Sequence, residues 1–203
     1  MAVAAEPQFE AEQSGAGARV VASSIRSLRQ RKGWTVAALA DKVGLDKGYL
    51  SRLERGEKSP SVGTLLKIAE ALGVQIGHLF GETTVDEAIT VVRSSELLSF
   101  SKGKSPKSQI ILPAGGHRRL SAFMIEPGLE RESSKTEHPG DEFLYVLEGV
   151  VEVAFPDRTI TLDAGDCLHF DGHLRHQLRR VGSESPKVLL VVAQDLPRAS
   201  AEA

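Results

Sequence analysis

The stretch KTEHPGDEFLYVLEG, residues 135–149, brings together two side chains that could act on a ligand. His138 and Glu142 are four residues apart, and Glu142 opens an apolar segment with the alternation of a β-strand. An imidazole and a carboxylate can bind a divalent metal ion, or they can orient a small organic molecule through polar contacts. The stretch therefore raises the question whether these side chains bind a metal ion, bind another ligand or bind nothing.

The basic residues are concentrated in one part of the chain. Residues 19–81 carry 11 Lys and Arg against 5 Asp and Glu, a net charge of +6, whereas residues 82–203 carry 14 against 19, a net charge of −5. A split of this kind suggests that the basic part meets a polyanion such as nucleic acid. A solvated basic face accounts for the same charges, so composition alone leaves both interpretations open.

Length and composition exclude several classes of protein. With 203 residues, 41% of them hydrophobic, the chain has room for one large domain or two small ones. No apolar run approaches the roughly 20 residues that a membrane-spanning helix needs, and residues 1–15 lack the pattern of a secretory signal. Cys167 is the single cysteine, which fits a reducing compartment. We therefore expect a cytoplasmic protein without a membrane partner.

Apolar periodicity predicts that the first part of the chain is helical. Residues 1–17 are rich in Ala, Glu and Gln, which predicts a disordered tail. Val21, Ile25 and Leu28 then begin a period typical of helices, and residues 18–81 are predicted to form a bundle of five helices, the last of them one short turn. The predicted N-terminal caps of the middle helices are Thr35, Asp46 and Ser61.

Beyond a linker at residues 82–88, the pattern changes to that of an all-β domain over residues 89–197. Short segments rich in Val, Ile and Phe recur between Pro, Gly and Asp turns, as in a sandwich or barrel. The predicted strands are AITVV, RLSAFMIE, EFLYVLEG, VVEVAF, RTITL, CLHF and KVLLVVA. Residues 198–203 are predicted to be a second disordered tail. The predicted fold class is therefore a two-domain α + β chain.

Residues 28–74, LRQRKGWTVAALADKVGLDKGYLSRLERGEKSPSVGTLLKIAEALGV, resemble the phage-repressor-like (XRE-type) helix-turn-helix family. The resemblance implies binding to double-stranded DNA, with the N-terminal part of the third helix in the major groove. Lys47 and Arg52 are placed on base edges, Gly48 lets the backbone approach closely, and Tyr49 is left open between a base edge, a thymine methyl and a phosphate. The residues placed on phosphates are Ser51, Arg55 and Lys58. For Arg29 and Glu54 it implies a structural ion pair instead of a DNA contact.

The β-rich part resembles the cupin family through KTEHPGDEFLYVLEG and GDCLHFDGHLRHQLRR, the latter at residues 165–180. The resemblance implies a jelly-roll barrel with a site formed by His138, Glu142 and His176. Thr136 stands where the family has a further metal ligand, and a Thr hydroxyl is a poor ligand for Fe, Zn or Mn. Two alternatives stay open: a divalent metal (Zn, Fe, Mn or Ni) on the three side chains, or an organic ligand lined by them and by Thr136.

Chains that join these two modules form a family of bacterial transcriptional regulators, which this chain resembles over most of its length. The resemblance implies a DNA-binding regulator that senses a small-molecule effector in the barrel and is not an enzyme. We predict a repressor, although the sequence leaves activation open as well. A single half-site contact is too weak to be specific, which predicts a homodimer on a palindromic operator. Glu142 favours an amine or a similar cation as the effector.

Two other functions fit parts of the sequence. A cupin metalloenzyme of the dioxygenase or isomerase type could be fused to the DNA-binding domain, but Thr136 in place of a ligand counts against it. An architectural DNA-binding protein could use the barrel only to dimerise, but the retention of His138, Glu142 and His176 counts against that function.

Overall fold

The computed structural model describes residues 7–81, 89–101, 107–112, 119–130 and 137–193. These residues form a helical domain followed by a β-domain, so the chain is a two-domain α + β protein. The predicted linker at residues 82–88 lies outside the described residues. Among the described residues, no helix is both long and apolar enough to cross a membrane.

The helical domain contains four α-helices and one 3₁₀ helix. They are α1 (Pro7–Arg31), α2 (Val36–Val43), α3 (Lys47–Glu54), α4 (Val62–Leu72) and the 3₁₀ helix Ile76–Phe80. The fifth helix of the predicted bundle is therefore a 3₁₀ turn and not an α-helix. Its backbone is held by a bond of the short i→i+3 type, from the His78 N–H to the Gln75 carbonyl.

The helix boundaries follow from local capping chemistry. The side chains of Thr35, Asp46 and Ser61 each accept a hydrogen bond from the backbone N–H three residues later, which confirms the three predicted N-caps. Gly44 and Gly73 end α2 and α4 with φ values of 66° and 63°, a left-handed conformation that glycine adopts without steric cost.

The prediction of a disordered tail over residues 1–17 is wrong for residues 7–17, because α1 begins at Pro7. Ala, Glu and Gln are strong helix formers, so a helix packed through Val21 and Ile25 can extend upstream. A Cβ atom at Gly17 would overlap the carbonyl oxygen of Ser99 in the β-domain. Gly17 therefore permits the close approach of α1 to that backbone.

The β-domain consists of two antiparallel sheets. Its strands are β1 (Leu98–Ser99), β2 (Lys107–Leu112), β3 (Leu120–Glu126), β4 (Asp141–Glu148), β5 (Val150–Ala154), β6 (Thr159–Asp163), β7 (Cys167–Asp171), β8 (Gln177–Arg180) and β9 (Lys187–Ala193). One sheet has the order β1-β2-β3-β9-β4-β7 and the other has the order β6-β5-β8. Buried residues of both sheets, such as Leu144 and Val151, belong to one core.

Six of the seven predicted strands are confirmed to within one residue at each end. The exception is AITVV, since residues 89–93 form no strand and Ile89 and Val91 are exposed. The sequence analysis missed β1, β2 and β8. β1 has two residues, while β2 and β8 carry several polar side chains, so none of the three shows a long apolar alternation.

The two domains share a continuous apolar core. Phe80 from the helical domain packs edge-to-face on Phe100 with ring centroids 5.5 Å apart, and Phe100 packs in the same way on Phe123 of β3 at 6.2 Å. Phe100 and Phe123 are fully buried. Because such aromatic contacts bury large areas, the helical domain is fixed against the β-domain and is not attached through a linker alone.

Candidate functional site

Three polar side chains from separate segments converge inside the β-domain. His138 lies just before β4, Glu142 lies on β4 and His176 lies just before β8. The Glu142 Oε2 atom is 2.7 Å from His138 Nε2 and 3.3 Å from His176 Nε2. All three side chains are buried, which is unusual for such groups unless they pair with one another or with a ligand. The structure thus brings together the three residues that the cupin resemblance implies.

Backbone contacts orient both imidazoles toward Glu142. His176 Nδ1 lies 2.8 Å from the Leu174 carbonyl oxygen, and His138 Nδ1 lies 3.2 Å from the Pro139 carbonyl oxygen. A carbonyl accepts a proton from Nδ1, which leaves Nε2 of each ring to face the carboxylate. A Cβ atom at Gly172 would lie 2.6 Å from His138 Cε1, so the ring packs directly on this glycine backbone.

The cluster favours a charged carboxylate. Burial alone would raise the pKa of Glu142, but hydrogen bonds from His138 and His176 outweigh burial and lower that pKa to about 2. Burial alone would lower the pKa of His176, but the hydrogen bond with Glu142 outweighs it and raises the pKa. Glu142 is therefore ionised at neutral pH and stabilises positive charge beside it.

The same geometry fits a divalent metal. The ligand atoms of His138, Glu142 and His176 all lie within 4.8 Å of one another. With each Nδ1 proton directed at a carbonyl, a neutral imidazole keeps its Nε2 lone pair for a metal ion. Two imidazoles and one carboxylate form a donor set that suits Zn, Fe, Mn or Ni. Thr136, predicted beside this group, lies outside the described residues.

A cavity of about 90 Å³ opens beside the three residues. Ile125, Leu178 and Leu190 give it apolar walls, while Glu126 and Glu130 add carboxylates. The first turn of α4 in the helical domain closes another side, with Ser61, Val62 and Gly63. The cavity therefore lies between the two domains, has room for a small molecule and combines apolar walls with a few polar groups.

The helix α3 presents the surface that the helix-turn-helix resemblance implies. Lys47, Gly48 and Arg52 are exposed, whereas Leu50 and Leu53 on the opposite side are fully buried. A Cβ atom at position 48 would lie 3.0 Å from the Asp46 carboxylate that caps the helix and 3.9 Å from an Arg52 nitrogen. A side chain at position 48 would therefore crowd the capping carboxylate of Asp46, whereas its distance to Arg52 is an ordinary contact. The prediction that these residues contact DNA stays a prediction.

The three residues predicted on phosphates differ in their surroundings. Lys58 is exposed on the loop after α3. Arg55 is exposed too, but its Nε and Nη2 atoms donate to the two Glu57 carboxylate oxygens at 2.6 and 3.0 Å. Its Nη1 atom contacts the Ser51 hydroxyl. Glu57 therefore competes with a phosphate for the Arg55 guanidinium. Tyr49, predicted to contact DNA, is partly buried against the core.

The comparisons with known proteins agree with this geometry. Residues 25–79 match the helix-turn-helix family, and residues 122–193 match the cupin domain family. Over 69 residues the chain is 41% identical to the uncharacterized HTH-type transcriptional regulator y4dJ of Sinorhizobium fredii, covering 34% of this chain and 87% of y4dJ. The chain belongs to the helix-turn-helix transcriptional regulators. In this regulator the DNA-binding domain is followed by a cupin domain.

Two relatives extend the similarity over both domains of the regulator. The HTH-type transcriptional regulator SutR of Escherichia coli K12 is 25% identical over 170 residues, which cover 83% of this chain and 91% of SutR. The crystal structure of an HTH_3 family transcriptional regulator from Vibrio cholerae superposes with a TM-score of 0.67 and 27% identity, covering 90% of this chain and 99% of that one. The two-domain arrangement is therefore shared with other regulators.

Sequence reasoning missed part of the cavity wall in this regulator. Ser61, Val62, Glu126 and Glu130 come from α4 and from the end of β3 and the residues after it, and no local pattern relates them. The cap residue Ser61 was found for its role in starting a helix. Ser61 also lines the cavity between the two domains. That role depends on how the domains pack, and no local sequence pattern indicates it.

Proposed function

We propose that this protein is a sequence-specific regulator, a repressor, whose cupin domain binds a small polar effector that changes DNA affinity. The observation that supports this proposal is the cavity beside His138, Glu142 and His176, which is closed by α4 of the DNA-binding domain. An effector in that position contacts the domain whose affinity it has to change. In this proposal the two sheets form the cupin barrel that supplies the pocket. The protein acts in the cytoplasm, where it meets its operator DNA.

The charge of the cavity wall favours a cationic effector. Glu126, Glu130 and Glu142 contribute three carboxylates, and no Lys or Arg lines the cavity in the described part of the chain. The Glu142 carboxylate is already paired with the two imidazoles. Glu126 and Glu130 are therefore the carboxylates that would bind an ammonium group. An amine with a short apolar part would match these carboxylates and the apolar walls together.

On the DNA side, Lys47, Gly48, Tyr49 and Arg52 are proposed to meet base edges, and Ser51, Arg55 and Lys58 are proposed to meet phosphates. A single helix of this kind reads a short half-site, so two copies of the chain on a palindromic operator would double the specific contacts. A homodimer is therefore part of the proposal.

The outer face of the six-stranded sheet supports a dimer. Phe143, Tyr145 and Leu147 alternate along β4 with side chains that are 37%, 37% and 43% exposed. In register beside them, Leu189 and Val191 of β9 are only partly buried. A continuous apolar face of this kind marks an interaction surface, and a second copy of the same face would cover it with matching chemistry. This arrangement favours pairing through the sheet face.

An enzyme is the second candidate, and the three convergent ligand atoms favour it. His138, Glu142 and His176 would hold a divalent metal, which would act there as a Lewis acid toward a bound oxygen atom. The regulators among the relatives favour the non-enzymatic function. Metal analysis of the purified protein separates the candidates. A full equivalent of tightly bound transition metal, lost in His138→Ala and accompanied by turnover, would establish the enzyme.

The proposed function is tested by operator binding with and without effector. A duplex selected from a random DNA library by the purified protein supplies the operator, and a panel of small amines screened by thermal shift supplies the effector. Wild-type protein should change its operator affinity when the amine is added. Glu142→Gln and His176→Ala should fold and bind the operator but lose the response. A normal response in both variants would place the sensor site elsewhere.

A further inference from the structure

The helix α4 contacts the β-domain at two points that are both next to the cavity residues. At its start, Ser61, Val62 and Gly63 form the side of the cavity that faces the DNA-binding domain. Further along the helix, the Nζ atom of Lys67 lies 4.0 Å from a carboxylate oxygen of Glu137. Of the helices in the described part of the DNA-binding domain, α4 is the one that lines this cavity.

The second contact is linked directly to the cavity cluster. The other carboxylate oxygen of Glu137 accepts a hydrogen bond from Arg175 Nε at 2.8 Å. Glu137 immediately precedes His138, and Arg175 immediately precedes His176. Lys67 therefore contacts a bridge that joins the backbone segments carrying the two imidazoles. A ligand that moves these segments relative to each other would also alter the environment of Lys67.

On its other side, α4 is joined to the predicted phosphate contacts. The loop after α3 carries Lys58 and runs through buried Pro60 into Ser61, which caps α4. The cap fixes the chain direction at this point, because the Ser61 hydroxyl accepts the Thr64 N–H at 3.2 Å. Only two residues, Ser59 and Pro60, thus separate a proposed DNA contact from the cavity wall. A displacement of the first turn of α4 would therefore reach Lys58 through a very short segment of chain.

We propose that α4 is the element through which the cavity controls DNA binding. A ligand held beside His138, Glu142 and His176 also contacts the first turn of α4, and its contact with Val62 and Ser61 sets the position of the loop that carries Lys58. This inference rests on the proposed function, and it specifies a route within one chain instead of a rearrangement of two chains. The ligand would be a small cation whose apolar part faces Val62.

The coupling through α4 can be tested without knowing the ligand, by filling the cavity with a larger side chain from the β-domain. Ile125 of β3 lines the cavity, so Ile125→Phe adds volume toward α4 without changing a proposed DNA contact. The full-length variant should bind the selected operator with an affinity changed by about fivefold or more. Adding Val62→Ala makes room on the α4 side and should restore most of the wild-type affinity. Val181→Phe, at an exposed apolar residue after β8 that does not line the cavity, is the control and should leave the affinity unchanged.

The possible results separate this inference from the proposed function. Circular dichroism and thermal unfolding first establish that each variant is folded, and the Val62→Ala single variant corrects for its own effect on the helical domain. If Ile125→Phe and Val181→Phe behave alike, or if Val62→Ala fails to restore affinity, α4 is not the route. A wild-type protein that selects no duplex from the library would instead overturn the proposed function itself.

Discussion

Arg29 of α1 and Glu54 of α3 form a buried ion pair with two parallel hydrogen bonds. The Arg29 Nε and Nη2 atoms donate to the two Glu54 oxygens at 2.6 and 2.8 Å, and Nη1 donates to the Trp34 carbonyl at 2.6 Å. The hydrogen bonds to Glu54 raise the pKa of Arg29. The predicted structural role of this pair is confirmed, since Glu54 is buried and turned away from the exposed side of α3. The pair fixes α3 to α1.

Removing one partner of this pair should destabilise the helical domain strongly. In Glu54→Ala the Arg29 guanidinium stays buried without a counter-ion, so we expect the free energy of unfolding to fall by about 3 kcal/mol or more. Urea denaturation followed by circular dichroism measures the change. Glu57→Ala breaks an exposed pair with Arg55 and is the matched control, with an expected change below about 1 kcal/mol. Equal losses in both variants would contradict the structural role of Glu54.

Two substitutions on α3 should weaken sequence-specific binding. Arg52→Ala and Lys47→Ala each remove an exposed donor from the face proposed to enter the major groove, and each should cost about 1–3 kcal/mol of operator affinity. Affinity for a scrambled duplex should fall much less. Fluorescence anisotropy with both duplexes at fixed salt measures the two losses. Equal losses on operator and scrambled DNA would show that these side chains contact only phosphates.

The Arg55–Glu57 pair predicts a substitution that should tighten DNA binding instead of weakening it. Glu57 accepts two hydrogen bonds from the Arg55 guanidinium, so its negative charge competes with a phosphate for that guanidinium. Glu57→Gln removes the competing charge and should tighten binding to operator and scrambled duplexes alike, by up to roughly tenfold at low salt. Arg55→Ala should weaken binding to both. If Glu57→Gln leaves both affinities unchanged in the presence of Arg55, then Arg55 lies outside the DNA interface.

Local patterns predicted those features of this chain that depend on neighbouring residues. The caps Thr35, Asp46 and Ser61 and the buried side of α3 follow from short-range spacing, and they are confirmed. The pairing of Arg55 with Glu57 is equally local. The sequence does not predict it, because several exposed charged residues lie close enough to form other pairs. By contrast, the cavity wall combines α4 with the end of β3, and only tertiary packing brings these segments together.

The stability of the metal-free protein should depend on pH through Glu142 and His176. The pKa of Glu142 is lowered to about 2 from 4.5, so its contribution is complete above pH 4.5 and is lost as the pH falls toward 2. The pKa of His176 is raised from 6.5, so its contribution is complete below pH 6.5 and is lost as the pH rises through the folded value. In a chelating buffer the melting temperature should therefore be highest between pH 4.5 and 6.5.

The matched variant for this pH profile is Glu142→Gln, which keeps the shape of the side chain and removes its charge. It should flatten both limbs of the profile, because His176 loses the hydrogen-bonded carboxylate that raises its pKa. Differential scanning calorimetry across the pH range measures the melting temperatures. Two unchanged limbs in Glu142→Gln would mean that other groups govern the pH dependence of stability.

Charges on the outer face of the six-stranded sheet should dissociate the proposed homodimer. Tyr145→Glu with Leu147→Glu places two carboxylates on an apolar face, where each would be buried opposite its symmetry mate at a cost of several kcal/mol. Light scattering at micromolar concentration should give a dimer for the wild type and a monomer for this variant. The variant should lose affinity for the palindrome and keep the weak affinity of a single half-site, because α3 is unchanged. Val181→Glu, at an exposed apolar residue outside this face, is the control and should remain dimeric. A wild-type monomer, on and off DNA, would refute the dimer.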